Sequence, residues 1–435
     1  MASIYRNALI TFAMVDGSCI GQPRAAVEYI KHVEALKLDD PNEGAWRDAD
    51  IEKFWQASGN NISPEMGELD TRGWTFQEHF LAPRTVRITS SGLFWDCPYL
   101  EASECRPLGI PGRSISDYST VDRKLRLFCF SPRGYQDAID DESSETTNGG
   151  YWLWRYAVQQ YSSRTLTFQS DKLIALAGIA NQMQQLLPGE VVFGIWREDL
   201  VRSLLWHSQC PSFLVTDLAV PSWSWASVSG TIDYQLWDPE PLQESGLTRH
   251  ETLTTIAQVV TFPVPLDNFG LGRTNLKYAV SIRGTLLTGF ASNRRIYVSR
   301  RKESPLTVQR LVDLHKHHDL KSLGYLPVSR NARIDLDYGW EQFFPDRQEF
   351  LWRDEFTEVQ CLALVRGDDF GGLYQHHYAV VLQRVAEDWE FRRVGVCAFD
   401  RRQICVVGSH SADYTEEEHA AYTDCMGDVL TVQII

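Results

Sequence analysis

The sequence predicts a mixed α+β protein: an α/β segment first, a helical middle, then a β-rich C-terminal region. Three observations predict it. A short helix pattern at Thr75–Leu81 runs into a hairpin pattern that ends at Trp95. Between 151 and 207 the apolar residues recur at helical spacing. From Ser222 onward the period changes to two, and Gly, Asn and Asp turns separate the runs. The expected divisions are 1–135, 136–220 and 221–435.

Taken in order, the opening residues predict a helical turn around Ile4-Tyr5 that leads into a buried strand over Ala8–Ala13. Gly17-Ser18-Cys19-Ile20-Gly21 spells a cysteine version of a nucleophile elbow, but Gln22-Pro23 follows where a helix should start, so it reads as a loop. Val27, Ile30, Val33 and Leu36 give 24–38 helical spacing, and a short helix is expected at Asp48–Ala57. Pro83 stops the Thr75–Leu81 helix. Val86, Ile88 and Leu93-Phe94-Trp95 then flank the turn Ser90-Ser91-Gly92. Leu125–Phe130 is an apolar patch, and Asp137–Gly150 reads as an acidic surface loop. Tyr151–Arg164 is expected to be helical. Asp171 is placed to cap a helix over Lys172–Leu187, which Pro188-Gly189 ends. Trp196–His207 reads as a third helix with Glu198-Asp199 in its first turn. Strands are expected at Trp223–Ser227, Leu253–Val260, Tyr278–Leu287, Arg294–Val298, Val359–Val365, His377–Arg384, Glu390–Phe399 and Val429–Ile434. Their packing reads as a sandwich or curled sheet.

Composition narrows the function classes. The chain has 435 residues, 43% apolar and 23% charged, as an ordinary globular protein does. A net charge of −15 argues against sequence-independent nucleic-acid binding, which needs a basic surface. Arg294-Arg295, Arg300-Arg301-Lys302, Arg392-Arg393 and Arg401-Arg402 read as solvated strand ends and loops. Nine scattered cysteines without a C-x-x-C pair predict reduced thiols in a cytoplasmic protein and no zinc site. No apolar run reaches the ~18 residues of a membrane span, and no signal peptide is expected. His315, His317, His318 and the pair His376-His377 read as surface histidines, because no acid lies at a ligand spacing. Asp140, Asp141 and Glu145 sit in a loop, the wrong setting for a magnesium-binding carboxylate set. Neither a metal nor a cofactor is expected.

The block Arg72-Gly73-Trp74-Thr75-Phe76-Gln77-Glu78-His79-Phe80-Leu81-Ala82-Pro83-Arg84 carries dense chemistry. A buried charge is costly unless paired, so Glu78 is expected to be tied to Arg72 or Arg84. This block resembles the R-G-W-T-x-Q-E-x-x-L-S-x-R signature of the fungal heterokaryon-incompatibility (HET) domain family. Phe94-Trp95 and Cys97 follow at the family's usual distance. Asp171-Lys172-Leu173 with Ala175-Leu176-Ala177-Gly178 resembles the family's D-K-L-x-A-L-x-G helix. Trp196–Leu200, Leu204–Trp206 and Pro221–Ser227 resemble its W-R-E-D-L, L-L-W and P-S-W-S-W-A-S tail. The family's two upstream blocks are missing here, which makes this a truncated member or a short reading of the gene. The resemblance implies an α/β core lacking its first strands and a role in non-self recognition and incompatibility-associated cell death. Its partners would be other proteins of that pathway. Remote similarity of the family to TIR domains brings NAD or nucleotide hydrolysis into view. No G-x-G-x-x-G is present, however, and the nearest run, Phe269-Gly270-Leu271-Gly272, lies in a β region.

The competing reading is a secondary-metabolite enzyme of cyclase or isomerase type on the same scaffold. Fourteen Trp residues supply the aromatics for an apolar pocket around a small apolar substrate. Glu78 and Asp96 are the acids that would protonate or orient it. Arg72, Trp74, Gln77, Arg84, Trp95, Trp223 and Trp225 would line that site, or else form core. A deep aromatic cavity favours the enzyme, whereas a filled core with an exposed apolar face favours a contact protein.

Overall fold

The computed structural model describes residues 2–15, 67–89, 92–103, 125–130, 146–209, 215, 220–234, 252–262, 278–292, 295–298, 342–346, 357–368, 375–385, 390–400 and 428–435. Outside these lie the helices expected at 24–38 and 48–57, the Gly17–Gly21 loop, Asp140, Asp141 and Glu145. Phe269–Gly272, Arg294, the Arg300 and Arg401 clusters, His315, His317 and His318 lie outside them too. The chain forms two compact units, Met1–Leu187 and Pro188–Ile435. The expected divisions stood at 135/136 and 220/221. Both units mix helix and strand, as the fold class anticipated.

The first unit opens with helix α1 (Ala2–Arg6) and strand β1 (Thr11–Met14). Helix α2 (Gly73–Leu81) leads into β2 (Thr85–Thr89), β3 (Gly92–Cys97) and β4 (Leu100–Ser103). The sheet runs β1-β2-β3-β4, with β1 parallel to β2 and the rest antiparallel. The first strand was expected to be buried. Instead its residues alternate between half-buried and exposed, with Phe12 and Met14 outside, because β1 is an edge strand. A helical segment at 125–130 precedes α3 (Thr146–Ser162), which begins inside the stretch read as acidic loop. Gly149-Gly150 stays helical despite its low propensity. A Cβ at Gly150 would sit 2.4 Å from Leu187, so tertiary packing overrides propensity there. Helix α4 is confined to Ile174–Met183. Asp171 ends a 3-10 turn and does not cap α4; its carboxylate is engaged elsewhere.

The second unit begins with the hairpin β5 (Val191–Val192) and β6 (Ile195–Trp196). Its two turn residues, Phe193 and Gly194, have φ of 49° and 79°, the left-handed pair of a type I′ turn. This hairpin and the strand β7 (His207–Ser208) shorten the expected Trp196–His207 helix to α5 (Leu200–Ser203). Strand β8 (Ile232–Asp233) pairs with β7. The expected strand Trp223–Ser227 is instead a 3-10 turn over Trp225–Ser227. Ser224 Oγ accepts from the Ala226 N–H and so caps it.

The β-rich part holds β9 (Thr252–Thr255), β10 (Gln258–Thr261), β11 (Val280–Ser292), β12 (Arg295–Val298) and β13 (Gln342–Pro345). It continues with β14 (Thr357–Asp368), β15 (Gln375–Arg384), β16 (Glu390–Asp400) and β17 (Asp428–Ile434). Five of these pair in a closed ring, β11-β14-β15-β16-β17 and back to β11. The 13-residue β11 makes closure possible: 280–286 pair with β17 and 286–291 with β14. An odd number of strands cannot alternate around a ring, so one pair must be parallel, and it is β16 with β17. A ring removes the edges that an open sheet would expose. Cys361–Val365 and Ala379–Leu382 are buried on both faces and read as continuous apolar runs. One face packs Leu287, Cys361, Ala363, Ala379, Val381 and Cys397.

Arg393, on β16, was expected in a solvated basic pair and is instead 1% exposed. It pairs with Asp346, donates to the Trp206 carbonyl, and lies 3.4 Å from the centre of the Trp206 ring. On the adjacent strand β15, His377 is also buried, not a surface histidine. Removing one partner of a buried ion pair strands the other. Asp346→Ala should therefore lower stability by about 3–5 kcal/mol in urea titration, and the double variant Asp346→Leu/Arg393→Met should cost less than the sum of its singles.

The His207 ring lies tilted against Phe344, with centroids 4.7 Å apart, beside Asp233 and Arg393. Burial, opposed by Asp233 and assisted by Arg393, lowers its pKa to about 4 from 6.5. The unfolded chain takes up this proton first as pH falls. The stability from neutral His207 is thus complete above pH 6.5 and is lost as pH drops through about 4. Chemical denaturation of His207→Asn should show a shallower stability decline across that window than the parent chain.

Candidate functional site

The residues singled out from the first block converge in the first unit. Gly73 opens α2 against Thr165, whose carbonyl accepts the Gly73 N–H at 2.7 Å. Thr75 Oγ1 lies 2.7 Å from the carbonyls of Leu69 and Arg72, which ties down the start of the helix. Trp74 Nε1 donates to Asp171 Oδ2 at 3.1 Å across 97 residues of sequence. Gln77 is buried, and its Oε1 accepts the Gly178 N–H at 2.7 Å across 101 residues. A Cβ at Gly178 would lie 2.5 Å from that Oε1 and 2.7 Å from the Ala2 Cβ. The R-G-W-T-x-Q and D-K-L-x-A-L-x-G blocks are therefore two sides of one joint.

The expected pairing of Glu78 with Arg72 or Arg84 is corrected. Glu78 bonds the Tyr5 hydroxyl, and burial together with that carboxylate raises the Tyr5 pKa. Arg72 is exposed, and Arg84 is exposed with Nη1 3.4 Å from the Leu9 carbonyl. The ion pairs form one layer deeper. Arg87 meets Asp70 at 2.6 Å, and Asp70 also accepts the Gly67 N–H. Arg126, 2% exposed, meets Asp96 at 2.5 Å and donates to the Ala82 carbonyl. His79 Nε2 lies 3.4 Å from the other Asp96 oxygen. Burial, then Arg126, Arg87 and Arg164, hold the His79 pKa well below 6.5, so His79 is neutral at pH 7.

An Asp–His pair is the skeleton of a general base. Here the Asp96 charge is taken by Arg126, and the nearby Cys129 thiol is buried and pushed up to about 12, which keeps it protonated. Lys172 is lowered to about 7 by burial, but it sits below the joint at 4% exposure. A cavity of about 360 Å³ lies between α1 and α4, lined by Ser3, Arg6, Asn7, Asn181 and Gln182 with Ala2 and Gly178. It contains no aromatic side chain and no carboxylate. Among the described residues, no three His, Cys, Asp or Glu side chains gather as a metal site, and no helix is long and apolar enough to cross a membrane.

The second unit accounts for the remaining aromatics. Trp196, Trp206, Trp223 and Trp225 are all fully buried. Trp206 Nε1 donates to the Trp223 carbonyl, Trp223 Nε1 to Tyr278, and Trp225 Nε1 to Gly194. Ser224 Oγ donates to the Phe193 carbonyl, so the P-S-W-S-W-A-S block satisfies both carbonyls of the I′ turn. A Cβ at Gly194 would meet Trp225 Nε1 at 2.6 Å. Trp223 and Trp225 are thus core, while Trp95 is half-buried on the first sheet.

Sequence reasoning missed Asp70, His79 and Arg126 as members of the site. His79 stood inside the quoted block, but Arg126 sat in an unpatterned apolar patch with no signal. Scans of protein-family models, of curated proteins and of solved structures each return no match to this chain.

Gly178→Ala tests the joint. Alanine in an open helix interior would gain about 1 kcal/mol over glycine. Here the added methyl displaces Gln77, so thermal or urea unfolding should show a loss of about 1–3 kcal/mol instead.

Proposed function

We propose that this chain is a HET-family protein that acts in fungal non-self recognition through contacts with other proteins. The observation that supports the reading best is the joint itself. Two separated blocks that resemble the family hold each other by Trp74–Asp171 and Gln77–Gly178. Trp74, Thr75 and Gln77 are engaged in internal bonds, and both acids nominated for catalysis, Glu78 and Asp96, already have internal partners. The Trp residues nominated for an aromatic pocket in the second unit fill core instead. What this arrangement favours is a stable scaffold with an available surface, not a reaction chamber.

Regulated expression of the whole chain in a filamentous-fungal host is the test. Growth arrest with uptake of a membrane-impermeant dye is expected. It should be lost in a variant that dismantles the joint, such as Trp74→Ala/Gln77→Ala. Normal growth with folded protein accumulating would overturn the reading.

A further inference from the structure

The four-stranded sheet of the first unit is inside-out in its chemistry. The register places Phe12 opposite Val86, Met14 opposite Ile88, Val86 opposite Trp95, Ile88 opposite Leu93, and Cys97 opposite Leu100. Paired residues share a face, so these side chains form one apolar surface. Thr85, Arg87, Thr89 and Asp96 occupy the other face together with the buried Phe94, and this is the face that meets Asp70, His79 and Arg126. The polar face is the inner one: Thr85 is 1% and Thr89 6% exposed. On the apolar face Phe12 is 66%, Met14 48%, Leu93 41% and Leu100 37% exposed, with Val86 and Trp95 half-buried.

We propose that this apolar face docks one amphipathic helix of a partner protein, with an acidic flank. The inference rests on the contact reading above and names the partner's chemistry. Size selects the occupant. Four strands of four to six residues span about 300–400 Å² at ~4.8 Å between strands and ~3.3 Å per residue. A stable dimer of two such faces needs about 800 Å² from each partner, roughly twice that. One helix, ~10 Å wide and about 12–14 residues long, matches the face and lays its i, i+3, i+4, i+7 side chains on it. Charge selects the flank. The apolar positions of the four strands include no acid, and the exposed Arg84 stands where β2 begins. An acidic residue beside the helix's apolar stripe complements that guanidinium.

The probe is a fluorescent 14-residue helical peptide with a Leu/Phe stripe and Glu flanks, titrated with the full-length chain and read by anisotropy. A Lys-flanked copy is the control. Binding of the Glu-flanked peptide at micromolar concentrations is expected, weakened at least tenfold by Phe12→Asp. Arg84→Glu should reverse the preference between flanks. Phe12 is solvent-facing, so unfolding midpoints should match the parent; Met14→Lys serves if Phe12→Asp does not fold. Three results would each overturn the proposal. One is no peptide binding up to about 1 mM. Another is binding unchanged by both variants. The third is a surface that Phe12→Asp removes only from self-association or from anionic vesicles. Host growth separates the two readings. Death with no peptide binding sinks the helix proposal alone, and peptide binding without death sinks the recognition role alone.

Discussion

The second unit depends on one buried cation. Arg393 points from the strand ring into the Trp-rich segment, where Asp346 neutralises it, Trp206 stacks beneath it and the Trp206 carbonyl accepts from it. A guanidinium cannot deprotonate to escape burial, so every group around it must be in place at once. That requirement positions Trp206, and the Trp206 indole then holds the Trp223 carbonyl. From there Ser224 and Trp225 reach the two carbonyls of the β5–β6 turn. A chain of single donors thus links the strand ring to a two-residue hairpin, and each donor is an indole, hydroxyl or guanidinium that burial would otherwise penalise.

The first unit solves the same problem differently. Its sheet carries arginine and aspartate on the inner face, and the charges cancel in pairs, Arg87 with Asp70 and Arg126 with Asp96. With these charges turned inward beside Phe94, Phe12, Met14, Leu93 and Leu100 of the same strands are left facing out. Such an arrangement costs solubility unless the outer face has a use, and exposed apolar surface rimmed by a cation is a feature of recognition sites. The neutral His79 and the protonated Cys129 belong to this inner layer. Their shifted pKa values follow from burial and from neighbouring arginines, a cause that structural networks share with active sites.

The R-G-W-T-x-Q, D-K-L-x-A-L-x-G and P-S-W-S-W-A-S blocks gain a physical meaning from these contacts. Gly178 is glycine because Gln77 occupies the space of its side chain, and Gly194 because Trp225 does. The tryptophans at 74, 206, 223 and 225 each donate an indole N–H to a specific acceptor. Spacing in these blocks reflects which backbone groups must be satisfied.

The sequence alone determined whatever depends on local period and chain punctuation. Helix α2, its stop at Pro83, the β2–β3 hairpin, helix α3 and the run of C-terminal strands were all legible, because apolar spacing and turn residues encode them within a few positions. Tertiary contact decided the rest. The stretch Trp196–His207 has helical spacing, yet a left-handed turn and the Arg393 network break it. Trp223–Ser227 alternates like a strand, yet Ser224 bonds its own backbone and turns it. Asp171 looks like a cap, yet Trp74 claims its carboxylate. Closure of the five-stranded ring, the identity of each ion pair and the outward apolar face depend on residues up to a hundred or more positions apart, and no local pattern records those pairings.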